Sequence, residues 1–272
     1  MSILGAFIVP GTPLPHLCPD QEKWRGVRES MNKVGDRIKE LSPDVVIVYS
    51  TQWFAVLDEL WLTRPISEGV HVDENWHEFG DIDYSIHTDV ELAQSCIDAS
   101  NDAGMKSRGV DYASFPLDSA LIVACNSLGI GTRDIPIVSA SNNLYHDAAM
   151  TKKLSALAVE KAESLGKSVV LLGIGGISAS VFTTVIDPAN DRIVTDEEDV
   201  WNKKLLEAVT SSDIKNLENE MNSFNKSVRS DMGLKHLSWV LGGLGKKYAG
   251  GEVHLYAPVY GSGAAVIEFG VG

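Results

Sequence analysis

Between Ile3 and Tyr49 the chain spells a strand, an amphipathic helix and a second strand, an order that few folds accommodate. Ile3–Val9 is a short apolar run with the length of a buried strand. Apolar residues then recur at Trp24, Val27, Met31, Val34, Ile38 and Leu41, in alternating steps of three and four, the stripe of a helix with one buried face. Ser42-Pro43-Asp44 ends that helix, and residues 45–49 are apolar throughout. A second strand reached through a helix lies parallel to the first, so the sheet is at least partly parallel. In the connection, Pro10, Pro13 and Pro15 argue against a helix, and Asp20 is the candidate N-cap of the helix that follows.

The same grammar returns downstream. Helices are expected over residues 89–103, 117–128, 147–165, 196–209 and 231–248, with Gly166 at a C′ position. Strands are expected over 135–140, 168–173, 252–256 and 264–269, the last two paired with each other. No Pro-, Gly- or Ser-rich linker, repeat or low-complexity tract divides the chain. The expected architecture is one α/β domain over residues 1–272, a central mixed, partly parallel sheet with helices on both faces.

Composition narrows the partners. The formal net charge of -14 disfavours nucleic acid and anionic membrane, both of which are bound through basic patches. No stretch reaches the roughly 18–20 apolar residues of a membrane span. The opening strand has no basic n-region and runs into Pro10, unlike a signal peptide. Cys18, Cys96 and Cys125 are widely spaced and odd in number, which suits reduced thiols rather than a disulfide framework or structural zinc. The expected location is cytoplasmic.

Sites in open α/β sheets form in the loops beyond the carboxyl ends of strands. Here those loops are 11–16, 50–54, 141–145 and 173–179, and they carry few reactive groups. His16 sits between Pro15 and Leu17, where a hydrogen-bonded structural role is the simpler reading. Gln52 is neither a base nor a strong ligand. Gly173-Ile174-Gly175-Gly176-Ile177-Ser178-Ala179-Ser180 lacks both GxGxxG spacing and a P-loop lysine, and neither serine stands in a GxSxG elbow. His71 and His77 lie among Asp73, Glu74, Glu78, Asp81 and Asp83, a spacing that fits a solvated acidic loop better than a metal site. Lys235 and His236 are expected in mid-helix.

The order of motifs at the strand ends resembles the class III extradiol ring-cleaving dioxygenases, over nearly the whole chain. Pro43-Asp44-Val45-Val46-Ile47-Val48-Tyr49-Ser50-Thr51-Gln52-Trp53 is similar to that family's strand ending in Thr-His-Trp. Leu172-Gly173-Ile174-Gly175-Gly176-Ile177-Ser178-Ala179 is similar to its segment ending in Leu-Ser-His. Leu241-Gly242-Gly243-Leu244-Gly245, with Tyr248 and Tyr260-Gly261-Ser262-Gly263-Ala264, resembles its C-terminal helix, strand and glycine turn.

The resemblance implies a site for non-haem Fe(II) held by two histidines and one glutamate. It places the first histidine at Gly11 or Thr12, the second at Gln52, the acid–base histidine at Ala179 and the carboxylate at Asp231. Read this way, those positions are vestigial, and the chain itself binds no metal or cofactor. The two-chain branch of the family, which opens 2-aminophenol, pairs such a chain with a homologous catalytic one. The resemblance to its smaller α chain implies an α2β2 heterotetramer with Fe(II) in the β subunit, and a non-catalytic, stabilising role here in aromatic-compound degradation. Two other readings stay open: an independently active metalloenzyme with altered ligands (His16 with His71 or His77, and Asp231), and a metal-free module that binds an aromatic ligand. Trp53, Phe54, Trp61, Trp76 and Phe79 are the expected subunit contacts.

Overall fold

The computed structural model describes residues 3–180 and 185–272; Met1 and Ser2, at the head of the chain, lie outside it. Strand β1 (Ile3–Val9) leads through a single turn, α1 (Leu14–Leu17), into α2 (Arg25–Leu41) and back to β2 (Val45–Ala55). A short β3 (Glu59–Leu62) precedes a hairpin, β4 (Ile66–His71) and β5 (Ile82–His87). Then come α3 (Val90–Asp102), β6 (Ser107–Val110), α4 (Ser119–Leu128), β7 (Ile137–Asn143), α5 (Ala148–Ser164) and β8 (Val169–Ile174). The chain closes with α6 (Asp196–Val209), α7 (Ile214–Ser227), α8 (Lys235–Leu244), β9 (Tyr248–Val259) and β10 (Ser262–Val271).

Eight strands form one mixed sheet in the order β6-β3-β7-β2-β8-β1-β10-β9. Its centre, β7-β2-β8-β1, is parallel, whereas β10 runs antiparallel to β1 and β9 antiparallel to β10. The central strands are apolar on both sides because helices cover both faces. On one face α2, the 3₁₀ turn before it and α4 pack Trp24, Val27, Met31, Ile38 and Leu121 against Phe7, Val46 and Leu172. On the other, α3, α5, α6, α7 and α8 pack on Ile8, Ile47 and Leu171. Trp239 of α8 stacks on Tyr49 at 5.1 Å between ring centroids and lies 6.3 Å from Trp61. Helix starts are set locally: Asp89, Asp118, Asp147, Thr195 and Asp213 each accept a backbone N–H of the first turn through the side chain.

Several expectations need correcting. The prolines do not prevent α1, because Pro15 sits in its first turn, where no N–H is required. Asp20 does not cap α2; a 3₁₀ turn over Glu22–Trp24 delivers the chain into it. The acidic segment around His71 is bounded by paired strands β4 and β5, not a plain loop. Helix α7 was not expected, although Leu217, Met221 and Phe224 bury its apolar stripe. Lys235 and His236 open α8 rather than standing in mid-helix. Trp61 is wholly buried and Trp53 is 6% exposed, so these two are core residues, not contact residues.

Helices α5 and α8 cross closely because Gly242 has no side chain. A Cβ there would lie 2.4 Å from the Cα of Lys152. Gly242→Ala therefore forces two backbones apart and is expected to cost about 1–3 kcal/mol, the usual range for overpacking. A urea unfolding curve measures this; an unchanged midpoint would show that α8 has slack.

Candidate functional site

The carboxyl ends of β1, β2 and β8 and the antiparallel start of β10 surround a cavity of about 620 Å³. Gly11, Thr12, Gln52, Ala179 and Asp231, the positions singled out by the family resemblance, all line it. They come from segments far apart in sequence, brought together by the parallel centre of the sheet. Glycines 175, 176 and 263 keep much of the wall close to bare backbone.

The floor is organised by Asp231. Its Oδ2 accepts from Thr51 Oγ1 at 2.8 Å and from Gly176 N at 2.7 Å, while its own N–H donates to Ile177 O at 2.9 Å. One carboxylate oxygen thus ties β2, the loop after β8 and the approach to α8. The chain then turns through Met232 (φ 44°), Gly233 (φ 70°) and Leu234 (φ 60°), left-handed at each residue. Met and Leu pay an energetic penalty in that region, and such strain persists only where the surroundings impose it. The turn delivers His236 directly behind Asp231. His236 is 2% exposed, and its Nδ1 has no hydrogen-bond partner among the described residues. Burial lowers its pKa to about 4, opposed by the nearby Asp231 charge. Gly175 has to be glycine here: a Cβ would stand 2.9 Å from both Asp231 Oδ2 and His236 Nδ1.

Thr51 is held from behind by a buried polar network. Asn142 Nδ2 donates to the Thr51 carbonyl at 2.8 Å, and Asn142 Oδ1 accepts from Tyr49 OH and Lys235 Nζ. Nearby, Glu59 accepts from Ser141 Oγ at 2.7 Å and lies 3.1 Å from His146 Nδ1. Burial raises the Glu59 carboxyl and lowers the Lys235 ammonium.

The opposite wall is aromatic. Tyr260 meets Trp76 edge-on at 4.6 Å, and both line the cavity. Tyr260 (φ 48°) and Gly261 (φ 73°) form the two-residue turn between β9 and β10. Buried Asp191 grips that turn, accepting from Tyr260 N at 2.6 Å and Gly261 N at 2.7 Å, and also from Trp24 Nε1 at 2.8 Å.

The two-histidine, one-carboxylate iron set does not fit these residues. Among the described residues the cavity lining supplies the Asp231 carboxylate and the neutral amide of Gln52 but no imidazole. No side chain fits at position 11, where a Cβ would lie 2.6 Å from Ala120 Cβ and 3.0 Å from Ile174 Cγ2. The altered set is not assembled either: His16 lines a different recess with Arg28, His71 another with Asp118, and His77 stands exposed on a 3₁₀ turn. Among the described residues no three His, Cys, Asp or Glu side chains are grouped to hold a metal. The sequence reading overlooked Asp191 and gave Thr51, His236 and Tyr260 no role of their own in the site. Only the Tyr-Gly pair of the hairpin carried a local signal.

Residues 9–267 match the family described as "Catalytic LigB subunit of aromatic ring-opening dioxygenase". A 2-aminophenol 1,6-dioxygenase alpha subunit from a Pseudomonas species is 52% identical over 271 residues, covering 100% of both chains. The beta subunit of a 2-aminophenol 1,6-dioxygenase from a Pseudomonas species is 25% identical, over 98% of this chain and 93% of its own. An uncharacterized Escherichia coli K12 protein of known crystal structure shares the fold, with a TM-score of 0.67 at 13% identity over 98% and 99% of the two chains. The family match overturns the expectation of a non-catalytic chain, inactive by itself and without a cofactor, because the family is described by its catalytic subunit. That expectation weighed a few motif positions, whereas the match spans nearly the whole chain, and the cavity itself is open and carries a carboxylate.

His236 makes stability pH-dependent. Its pKa lies below the ordinary 6.5, so the unfolded chain binds the proton more readily. Its contribution is complete above pH 6.5 and is lost as the pH falls toward about 4. The displacement corresponds to roughly 3 kcal/mol. Urea midpoints measured across that range should fall less steeply for His236→Leu than for the parent chain; parallel curves would remove His236 as the cause.

Proposed function

Since the chain belongs to the LigB family of aromatic ring-opening dioxygenases, we propose that it is the α-type chain of an enzyme that opens 2-aminophenol, and that its cavity receives the ring. One observation carries this reading: a fixed carboxylate, Asp231, stands at the floor of a cavity of about 620 Å³ faced by aromatic and bare-backbone walls. A volume of this order suits a small aromatic molecule. The glycine-lined side lets a flat ring lie against the backbone, and Tyr260 and Trp76 offer it an aromatic face. Asp231 is placed to accept a hydrogen bond from a ring hydroxyl or amine. Thr51 and Gly176 keep its orientation.

The 52% identity to an α subunit over the full chain supports the assignment of substrate class. The existence of a homologous beta subunit supports a hetero-oligomer, for which we propose an α2β2 arrangement with that second chain. No helix among the described residues is long and apolar enough to cross a membrane. We place the assembly in the cytoplasm, where the unpaired Cys18, Cys96 and Cys125 stay reduced.

The test is ring opening of 2-aminophenol by the assembled enzyme, with binding to this chain followed by calorimetry. Asp231→Asn keeps the shape but loses the charge, and should weaken binding and turnover by about ten- to hundredfold, the value of a charge-assisted hydrogen bond. Unchanged affinity and turnover would refute a ring-binding role for the cavity. Co-expression with the homologous chain should yield a particle of four chains by mass photometry.

A further inference from the structure

The ends of β2 and β7 present an apolar surface that the fold leaves uncovered. Phe54, Val56 and Leu57 on one side and Leu144 and Tyr145 on the other are exposed, Leu57 by 80% and Tyr145 by 78%. The two segments lie side by side: Phe54 pairs with Asn142, Ala55 with Asn143, and Leu144 N donates to Ala55 O at 2.9 Å. Ala148 and Ala149, exposed in the first turn of α5, continue the apolar run. Single exposed apolar residues are ordinary, but five large ones on adjoining strand ends form a patch. The backbone beneath is fixed. Ser141 Oγ accepts from Leu60 N at 2.9 Å and donates to buried Glu59, while Asn143 Oδ1 accepts from Tyr145 N at 3.0 Å and Asn143 O from His146 N at 3.1 Å. The apolar side chains stand on a hydrogen-bonded frame, so docking has little left to order.

Area and charge indicate what covers it. At these exposures the five large side chains leave open roughly 500 Å². That is near the upper end for the largest patch on a monomer, and more than half of the ~800 Å² that each side of a standard protein interface contributes. A folded protein partner fits such an area. A second copy of this chain is a poor candidate, because each copy carries a formal net charge of -14. Exposed Asp147 borders the patch, and pairing like patches about a two-fold axis would set the Asp147 of both copies on one rim.

We propose that this patch docks a homologous chain of the same fold that presents an apolar face with a basic rim. That chain is the second member of the hetero-oligomer proposed above, and the inference rests on that reading. Of the aromatic residues expected at a subunit contact, Phe54 alone belongs to the patch.

The probe is the homologous beta-type chain, co-expressed with the full chain and followed by mass photometry over a dilution series. Leu57→Ser combined with Tyr145→Ser removes the two most exposed side chains of the patch. It should weaken assembly at least about hundredfold, the effect of losing two dominant interface residues, and leave the urea midpoint of the chain alone unchanged. Val70→Ser, at a similarly exposed apolar position of the β4–β5 hairpin, should leave assembly as it is. Full assembly of the double variant, or an equal loss with Val70→Ser, would overturn the placement while the hetero-oligomer stands. A parent chain that dimerises with itself through this patch would overturn the choice of partner. No association of the parent with the homologous chain would overturn the hetero-oligomer itself, and this inference with it. Should the double variant not fold, hydrogen exchange on the unaltered assembly decides: amides 56–58 and 144–149 should slow on association, and unchanged rates there would refute the proposal.

Discussion

A single carboxylate oxygen holds the functional edge of this protein together. Asp231 Oδ2 receives Thr51 from β2 and the backbone of Gly176 after β8, while the backbone of Asp231 pairs with Ile177. Charge-assisted bonds of this kind are about twice as strong as neutral ones. The left-handed path through Met232, Gly233 and Leu234 has no local reason to form. It persists because Asp231 anchors one side and buried α8 the other. The position of His236, the requirement for glycine at 175 and the depth of the cavity all follow from that anchor.

The layout of the sheet was legible from the chain alone, and the reason is the parallel centre. Strands covered on both faces must be apolar throughout, so β1, β2 and β8 announce themselves, and the stripe of α2 fixes their connection. Aspartates at 89 and 147 marked helix starts because capping is a local interaction. Elements whose stability comes from distant partners stayed hidden. β3 is short and joined to β7 at a single register position, and the β4–β5 hairpin belongs to a separate sheet. The aromatic residues of that region illustrate the same limit, since only the fold shows that Trp61 is enclosed by Trp239 while Phe54 is 54% exposed.

The site was half legible. Gly11, Thr12, Gln52, Ala179 and Asp231, to which the strand-end motifs drew attention, share a cavity because parallel strands end at one edge. Inferring activity from what those positions lack was the weaker step. Identity at a few positions tests one arrangement of ligands, whereas membership of a catalytic family concerns the whole framework. Thr51 and His236 could not be recognised in advance. Their importance lies in which atoms they face, and a strained turn sets that rather than any spacing in the sequence.

The hairpin turn at Tyr260 separates two kinds of wall. The floor at Asp231 is continuous with the packed interior, so any change there disturbs β2, β8 and α8 together. The rim hangs from a turn gripped by Asp191, whose other partner, Trp24, belongs to the opposite face of the sheet. Rim and floor therefore hang from different carboxylates, and they meet where Gly263 bonds Ile177 and Ser178. A side chain at the Tyr260 turn can therefore change without removing a bond of Asp231, whereas a shift of the hairpin backbone is felt through Gly263 at the floor.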